Sequence, residues 1–159
     1  MHAERWRLDG QTALVTGASL GIGRAIAAEL LGLGANVLLV ARDEAQLEAT
    51  AAELEEEFPE RDVRRFAADV ADGEQRREIL DWVEDLGEGL NILVNNAGSN
   101  VRRAAVDYAE DEWRSIFETN LFSAFELSRF AFPLLSRHAA SSIVNVGSVS
   151  GLVHVRTGA

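Results

Sequence analysis

Residues 12–23 read Thr-Ala-Leu-Val-Thr-Gly-Ala-Ser-Leu-Gly-Ile-Gly, and this stretch decides the fold. Its first part is apolar and suits a strand that is buried on both faces. Three glycines then mark a tight turn in which the backbone comes close to another group, at Gly17, Gly21 and Gly23. Residues 24–31 are good helix formers without a breaker. The stretch therefore predicts a strand, a turn and a helix.

A helix that begins over a glycine turn is suited to binding an anion. Its first N–H groups have no partner within the helix, and the pyrophosphate of a dinucleotide is the anion that fits best. An ordinary turn between strand and helix is the alternative. No Lys-Ser or Lys-Thr pair follows the glycines, which argues against a nucleoside-triphosphate loop. We expect the cofactor to contact Thr16, Gly17, Ser19, Leu20, Gly21, Ile22 and Gly23.

The composition restricts the class of protein. The 159 residues suffice for one domain, and a net charge of -11 argues against nucleic acid or an anionic membrane as a partner. Without cysteine there is no disulfide or thiolate metal site, and the three histidines lack the spacing of metal ligands, so we expect no metal. No apolar run has the length of a membrane span or resembles a signal peptide, which makes the cytoplasm the expected location.

Strand patterns and helix patterns alternate along the rest of the chain. Further short apolar runs occupy residues 35–41, 63–68, 90–94 and 142–146. Helical patterns separate them, the longest over residues 110–137. This alternation predicts an α/β fold with a doubly wound parallel sheet of the Rossmann type, in three α/β/α layers. We expect residues 1–159 to form a single dinucleotide-binding domain.

The motifs that stand out all follow a predicted strand. They occupy residues 16–23, 41–43, 69–70, 95–98 and 147–151. In a doubly wound sheet the ligand lies beyond the carboxyl ends of the strands, so these motifs are expected to meet at one edge. Their common position is stronger evidence for a ligand site than any one of them.

Arg42 follows the second predicted strand, where such sheets meet the adenosine ribose. An acidic residue at the strand end would bind the ribose hydroxyls and favour NAD, but this strand ends in the neutral Ala41. A guanidinium suits a bidentate contact with a ribose 2′-phosphate. We therefore expect NADP(H) as the cofactor, with a surface arginine of no special role as the alternative.

Together these motifs resemble the short-chain dehydrogenase/reductase family over essentially the whole chain. The turn Thr-Gly-x-x-x-Gly-Ile-Gly resembles its cofactor fingerprint, and Asn-Asn-Ala-Gly at residues 95–98 is similar to a second family motif. The resemblance implies cofactor contacts from Asp69, Val70, Asn96, Ala97 and Gly98. It also implies that Asn120 is a catalytic asparagine, although a core asparagine bonded to the backbone is the alternative.

The segment after the fifth predicted strand resembles the part of the family that carries the active-site serine. Ser148 aligns with that serine, and Ser150 is the nearby rival. Residues 95–102 and 148–154 look most like the tropinone reductase-like branch. The resemblance implies a hydride transfer between NADP(H) and a small ketone or secondary alcohol, and a homo-oligomer, dimer or tetramer, formed through the long helix.

The general acid of that family is a tyrosine followed four residues later by a lysine, and no Tyr-x-x-x-Lys occurs here. Tyr108 is the single tyrosine and does not match, and in relatives the motif would fall just past Ala159. We therefore expect that the C-terminal part of the fold is missing from the chain. A non-catalytic NADP(H)-binding module or pseudoenzyme is the main alternative. A methyltransferase is disfavoured because the second strand does not end in an acidic residue.

Overall fold

The computed structural model describes residues 6–149, which form a parallel five-stranded sheet with helices on both faces. The strands are β1 Thr12–Thr16, β2 Asn36–Ala41, β3 Val63–Ala67, β4 Ile92–Asn95 and β5 Ser142–Asn145. Their order across the sheet is β3-β2-β1-β4-β5, and each neighbouring pair is parallel. The order reverses its direction beside β1, as in a doubly wound fold. The predicted fold class is confirmed.

The helices alternate with the strands along the chain. They are α1 Gly21–Gly32, α2 Glu44–Glu57, α3 Gly73–Asp85, α4 Glu110–Phe117 and α5 Ser123–Leu135. A short 3-10 turn, Ala105–Asp107, precedes α4. Asp43 begins α2 as its N-cap and accepts a hydrogen bond from the N–H of Gln46 at 3.0 Å, which satisfies one unpaired donor of the helix.

The two faces of the sheet bury two separate cores. Alternate residues of β1 point to opposite faces, so Ala13 and Val15 belong to one core and Leu14 to the other. Helices α1 and α2 cover the first core, which contains Leu31 and Leu47, and α3 and α5 cover the second. The predicted three-layer α/β/α arrangement is thus present, with β1 fully buried between the layers.

The long helical stretch differs from the sequence prediction in one respect. The prediction is a single helix over residues 110–137, but α4 and α5 are joined by a π-helical segment, Glu118–Phe122. A π turn accommodates one extra residue per turn and changes which side chains face the sheet. The hydroxyl of Ser123 donates to the carbonyl of Thr119 at 2.5 Å within this segment.

Several apolar side chains of this helical stretch lie at the surface. We call the following group the aromatic face: Trp113, Phe117, Leu121, Phe122 and Phe125. All four residues of β5 are exposed as well, at an edge of the sheet. In the part of the chain that the structure describes, no helix combines the length and apolar character needed to cross a membrane.

Candidate functional site

A groove of about 330 Å³ opens beyond the carboxyl ends of the strands. It is lined by Gly17, Ser19, Leu20, Val40, Ala41, Arg42, Asp43, Ala68, Asp69, Val70, Ala97, Gly98 and Thr119. These residues follow or end four different strands, or belong to the π-helical segment. The sheet thus gathers at one edge the motifs that the sequence separates, which is where the ligand of a doubly wound fold lies.

The predicted cofactor residues divide into two groups. Those that line the groove are Gly17, Ser19, Leu20, Arg42, Asp69, Val70, Ala97 and Gly98. Those outside the lining are Thr16, Gly21, Ile22, Gly23 and Asn96. Ala41 and Asp43, from the predicted motif at residues 41–43, line the groove as well, whereas the sequence analysis did not place Val40, Ala68 and Thr119 in the site. The ends of β2 and β3 were the available signal for all of these except Thr119.

The three glycines of the turn are required for two different reasons. Gly17 and Gly21 have φ angles of +63° and +54°, a region that L-residues with a side chain rarely adopt. A Cβ on Gly17 would also lie 2.9 Å from the Cα of Ala97. Gly23 is helical, but its Cβ would overlap the carbonyl oxygen of Gly17 and lie 2.5 Å from Nδ2 of Asn96. Close packing therefore selects the third glycine.

Thr16 and Asn96 hold the glycine turn against the end of β4. The N–H groups of Asn96 and Ala97 both donate to Oγ1 of Thr16 at 3.0 Å. Nδ2 of Asn96 donates to the carbonyl of Thr16 at 2.9 Å and to that of Gly17 at 3.2 Å. These reciprocal bonds join the glycine turn after β1 to the loop after β4 and satisfy the backbone groups of both.

We expect Thr16→Val to destabilise the fold by about 2–4 kcal/mol, because the isosteric side chain leaves two N–H groups without an acceptor. Thr50→Val is the matched control: Thr50 is also buried, and its Oγ1 donates a single hydrogen bond, to the carbonyl of Ser19 at 2.7 Å. Its cost should be about 1 kcal/mol. Urea denaturation of both variants measures the difference, and equal costs would contradict the double acceptor role of Thr16.

The N-terminus of α1 offers hydrogen-bond donors that the protein leaves unused. The N-cap residue Leu20 makes no side-chain hydrogen bond to the helix. Among the hydrogen bonds of residues 6–149, none uses the N–H of Gly21, Ile22 or Gly23. Three unpaired donors at the positive end of a helix fit a phosphate group, and the absence of side chains on the glycines allows its close approach.

The other end of the groove combines an apolar slot with a charged pair. Val40, Ala41, Ala68 and Val70 are buried and line it. Nη1 of Arg42 lies 3.5 Å from Oδ2 of Asp69, and the Arg42 side chain is 68% exposed. An apolar slot beside a carboxylate suits an adenine ring with an amino group, while an exposed guanidinium suits a phosphate.

The loop that carries Asp69 is fixed to the start of α3. Oδ1 of Asp69 accepts from the N–H of Ala71 at 2.9 Å, and the N–H of Asp69 donates to Oε1 of Gln75 at 2.8 Å. Asp72 caps α3, and the hydrogen bonds that it accepts from the N–H groups of Glu74 and Gln75 lower the pKa of its carboxyl. The capping carboxylate therefore stays ionised at a lower pH than an unpaired aspartate would.

Asn120 lies in the π-helical segment and faces the loop that follows β4. Its Oδ1 accepts from the N–H of Ser99 at 2.8 Å, and its Nδ2 donates to the carbonyl of Ser99 at 2.8 Å. The side chain is bonded to backbone, as in the alternative that the sequence left open, but Asn120 is exposed and is not part of the core, and it lies next to Gly98 of the groove. The backbone of Asn120 belongs to a π turn, a helix irregularity that is common at functional sites.

Ser148 follows β5 at the same edge of the sheet. Strands β4 and β5 are parallel, with Asn95 opposite Asn145, and the N–H of Val146 donates to the carbonyl of Asn95 at 2.9 Å. Ser148 therefore occupies the same position relative to the end of β5 as Gly98 does relative to the end of β4. Its rival Ser150 and the remaining residues 151–159 lie outside the described residues, as do His2 and His154.

The predicted absence of a metal rests on histidine spacing in the sequence. Among residues 6–149, no group of three or more His, Asp or Glu side chains has an arrangement that could hold a metal ion. The one tyrosine, Tyr108, donates from its hydroxyl to the carbonyl of Val101 and so fixes the loop after Gly98. That loop precedes α4 and is bonded to Asn120 through Ser99.

Comparison with known proteins supports the interpretation of the fold. The family model described as short chain dehydrogenase matches residues 11–159. A tropinone reductase homolog of Arabidopsis thaliana is 45% identical over 151 residues, which are 94% of this chain and 56% of that protein. The senescence-associated protein 13 of the same plant is 43% identical over 155 residues, 97% of this chain and 57% of that protein.

A solved structure with a similar fold is the L-sorbose reductase of Gluconobacter frateurii, complexed with NADPH and L-sorbose. It matches with a TM-score of 0.92 at 30% identity, over 96% of this chain and 58% of that one. The chain thus spans about half to three fifths of the length of the relatives it matches. Because the family model covers nearly all of its residues, the chain belongs to the short-chain dehydrogenase/reductase family, in the tropinone reductase-like branch.

Proposed function

We propose that this chain is the dinucleotide-binding domain of an NADP(H)-dependent oxidoreductase that interconverts a small ketone and a secondary alcohol. The observation that carries the proposal is the groove itself, whose apolar slot and charged pair lie at the strand ends beside the glycine turn. Three unpaired N–H groups of α1 and the glycines of the turn fit the pyrophosphate. When bound, the nicotinamide of the cofactor supplies or accepts the hydride.

The residues of the chain have separate roles in this proposal. Ser148 donates a hydrogen bond to the substrate carbonyl and so stabilises the negative charge that develops on its oxygen. Asn120, held by Ser99, orients the π-helical segment and holds a water of the proton relay. Asp69 accepts from the amino group of adenine, and Thr16 and Asn96 keep the turn in its binding conformation.

Arg42 carries the choice of NADP(H) over NAD(H). It stands at the end of β2 with most of its side chain exposed, so it can turn from Asp69 towards a 2′-phosphate. The similar L-sorbose reductase was solved with NADPH, which supports the same cofactor here. A bidentate contact between a guanidinium and a phosphate is among the stronger hydrogen-bonded pairs.

We expect Arg42→Asp to weaken NADPH binding by about tenfold, because a repulsive charge replaces a charge-assisted hydrogen bond, and to leave NADH binding equal or better. Arg65→Asp is the matched control: it makes the same change of charge at an exposed position on β3, where Arg65 pairs with Glu48 outside the groove. Titration of nucleotide fluorescence gives both dissociation constants. An unchanged NADPH to NADH ratio in Arg42→Asp would contradict the contact.

The reductase proposal is tested by assaying the protein, as its gene encodes it, for NADPH oxidation. Small cyclic ketones and ketoses are suitable substrates, with absorbance at the nicotinamide band as the readout. Turnover with NADPH and a ketone supports the oxidoreductase. Tight NADPH binding without turnover of any ketone would favour the alternative, a non-catalytic NADP(H)-binding module or pseudoenzyme.

We also propose that the protein assembles as a homo-oligomer, a dimer or a tetramer. The aromatic face is an apolar patch on a helix surface, and such patches are typical of interaction sites. Sedimentation analysis of the protein gives its state of association. The cytoplasmic location stays a prediction from the sequence.

A further inference from the structure

Among residues 6–149, Arg76 on α3 is the only charged residue that is buried, with 4% of its surface exposed. A buried guanidinium is tolerated only where its N–H groups find acceptors. Nη1 donates to the carbonyl of Val70 at 2.7 Å, and Nε donates to Oε2 of Glu126 at 2.8 Å. Both Nη atoms lie 3.4 Å from Oε2 of Glu118. One side chain therefore binds three separate segments.

Two of these segments belong to the functional site. Val70 is one of the four residues that line the apolar slot of the groove. Glu118 is the first residue of the π-helical segment, which continues with Thr119, another lining residue, and with Asn120. The guanidinium of Arg76 thus connects the loop on the adenine side of the groove to the segment that carries Asn120.

We infer that Arg76 is a positioning residue that couples occupation of the adenine slot to the placement of the π-helical segment. The inference rests on the proposed function, since it takes the groove to bind the adenylate half of NADP(H). A ligand that packs on Val70 restricts its carbonyl and, through the rigid planar fork of Arg76, restricts Glu118. Asn120 is then ordered together with the Ser99 backbone that it binds.

A purely structural role is the alternative, because Arg76 also ties α3 to α5 through Glu126. The chain offers a control that separates the two roles. Arg137 follows α5 and pairs with Glu84 of α3 at 2.7 Å, so it joins the same two helices. Both side chains of that pair are more than half exposed, and neither lines the groove. Arg137→Gln therefore removes a link between α3 and α5 without touching the connection to Val70.

The experiment is hydrogen–deuterium exchange of the protein as its gene encodes it, with and without saturating adenosine 2′,5′-bisphosphate. This probe is the adenylate half of NADP(H), and it reports binding without turnover. In the native protein and in Arg137→Gln, we expect the ligand to slow exchange of peptides covering residues 118–122 by about tenfold, the size of one charge-assisted hydrogen bond. In Arg76→Gln, the slowing should be lost although the ligand is still saturating.

Arg76→Met provides a second variant in case Arg76→Gln does not give a cooperative thermal transition. Methionine keeps an unbranched side chain but has no N–H donor, so it can bond neither the carbonyl of Val70 nor Glu118, and the slowing should again be lost. Slowing that persists in a folded Arg76 variant would overturn the coupling and leave the proposed cofactor intact. Failure of the native protein to bind the probe would overturn both the NADP(H) proposal and the coupling.

Discussion

Gly23→Ala should weaken NADPH binding by about a hundredfold, and it should also destabilise the fold by about 1–3 kcal/mol. The new methyl group would occupy the space of the Gly17 carbonyl and lie 2.5 Å from Nδ2 of Asn96. The Gly17 carbonyl is part of the backbone, and the Asn96 side chain makes two hydrogen bonds to the turn. Neither group can therefore shift away from the methyl group unless the turn itself moves. The first turn of α1 would then no longer present its N–H groups at the groove.

Gly32→Ala is the control on the same helix. Gly32 ends α1, and a Cβ there would meet only Cε1 of Phe58, at 3.7 Å, an ordinary van der Waals distance. The substitution should stabilise the protein by roughly 0.5–1 kcal/mol and leave NADPH binding unchanged. Thermal unfolding and nucleotide titration of the two variants give both quantities. Normal NADPH affinity in Gly23→Ala would show that the glycine turn does not bind the pyrophosphate.

Ser148→Ala should lower kcat for ketone reduction by about 10²–10³-fold, the usual cost of removing a donor to a developing oxyanion. The residues that line the groove end or follow β1 to β4 or belong to the π-helical segment, whereas Ser148 follows β5. The dissociation constant of NADPH should therefore change little. The test is whether kcat falls while NADPH affinity is kept, since a structural role of Ser148 would change both quantities.

Ser141→Ala is the matched control for that experiment. Ser141 directly precedes β5, at the end of the strand away from Ser148, and it is exposed. Its removal should leave both kcat and NADPH affinity unchanged. Pre-steady-state and steady-state kinetics with NADPH and one ketone supply the numbers. Comparable losses of turnover and NADPH affinity in Ser148→Ala would contradict its role toward the substrate carbonyl.

The fold was predictable because its signals are local. Alternation of apolar runs with helical patterns specifies a parallel α/β sheet, and the order of β1 to β5 along the chain agrees with the predicted runs. The glycine turn was predictable for the same reason: Gly17 and Gly21 need a backbone conformation that the sequence signals directly. Strand ends could be located, and the parallel sheet brings them to one edge.

The parts of the site that escaped prediction depend on contacts between distant residues. The sequence assigns Thr16 and Asn96 to cofactor binding, but it gives no sign of the hydrogen bonds by which the two residues join the glycine turn to the end of β4. Thr119 reaches the groove only because a π-helical segment interrupts the long helix. A single extra residue in a helical turn leaves no clear mark in hydrophobic periodicity.

The sequence by itself determined the α/β architecture, the glycine turn and the family, because periodicity, backbone requirements and motif order are properties of short segments. The tertiary structure alone decided that Arg42 meets Asp69, that Asn120 binds Ser99, and that Arg76 joins Val70 to Glu118. The contact between Arg42 and Asp69 follows from the pairing of β2 with β3, whose ends carry the two residues. The contacts of Asn120 with Ser99 and of Arg76 with Glu118 depend on how the helices pack beside the strand ends, which no local sequence pattern specifies.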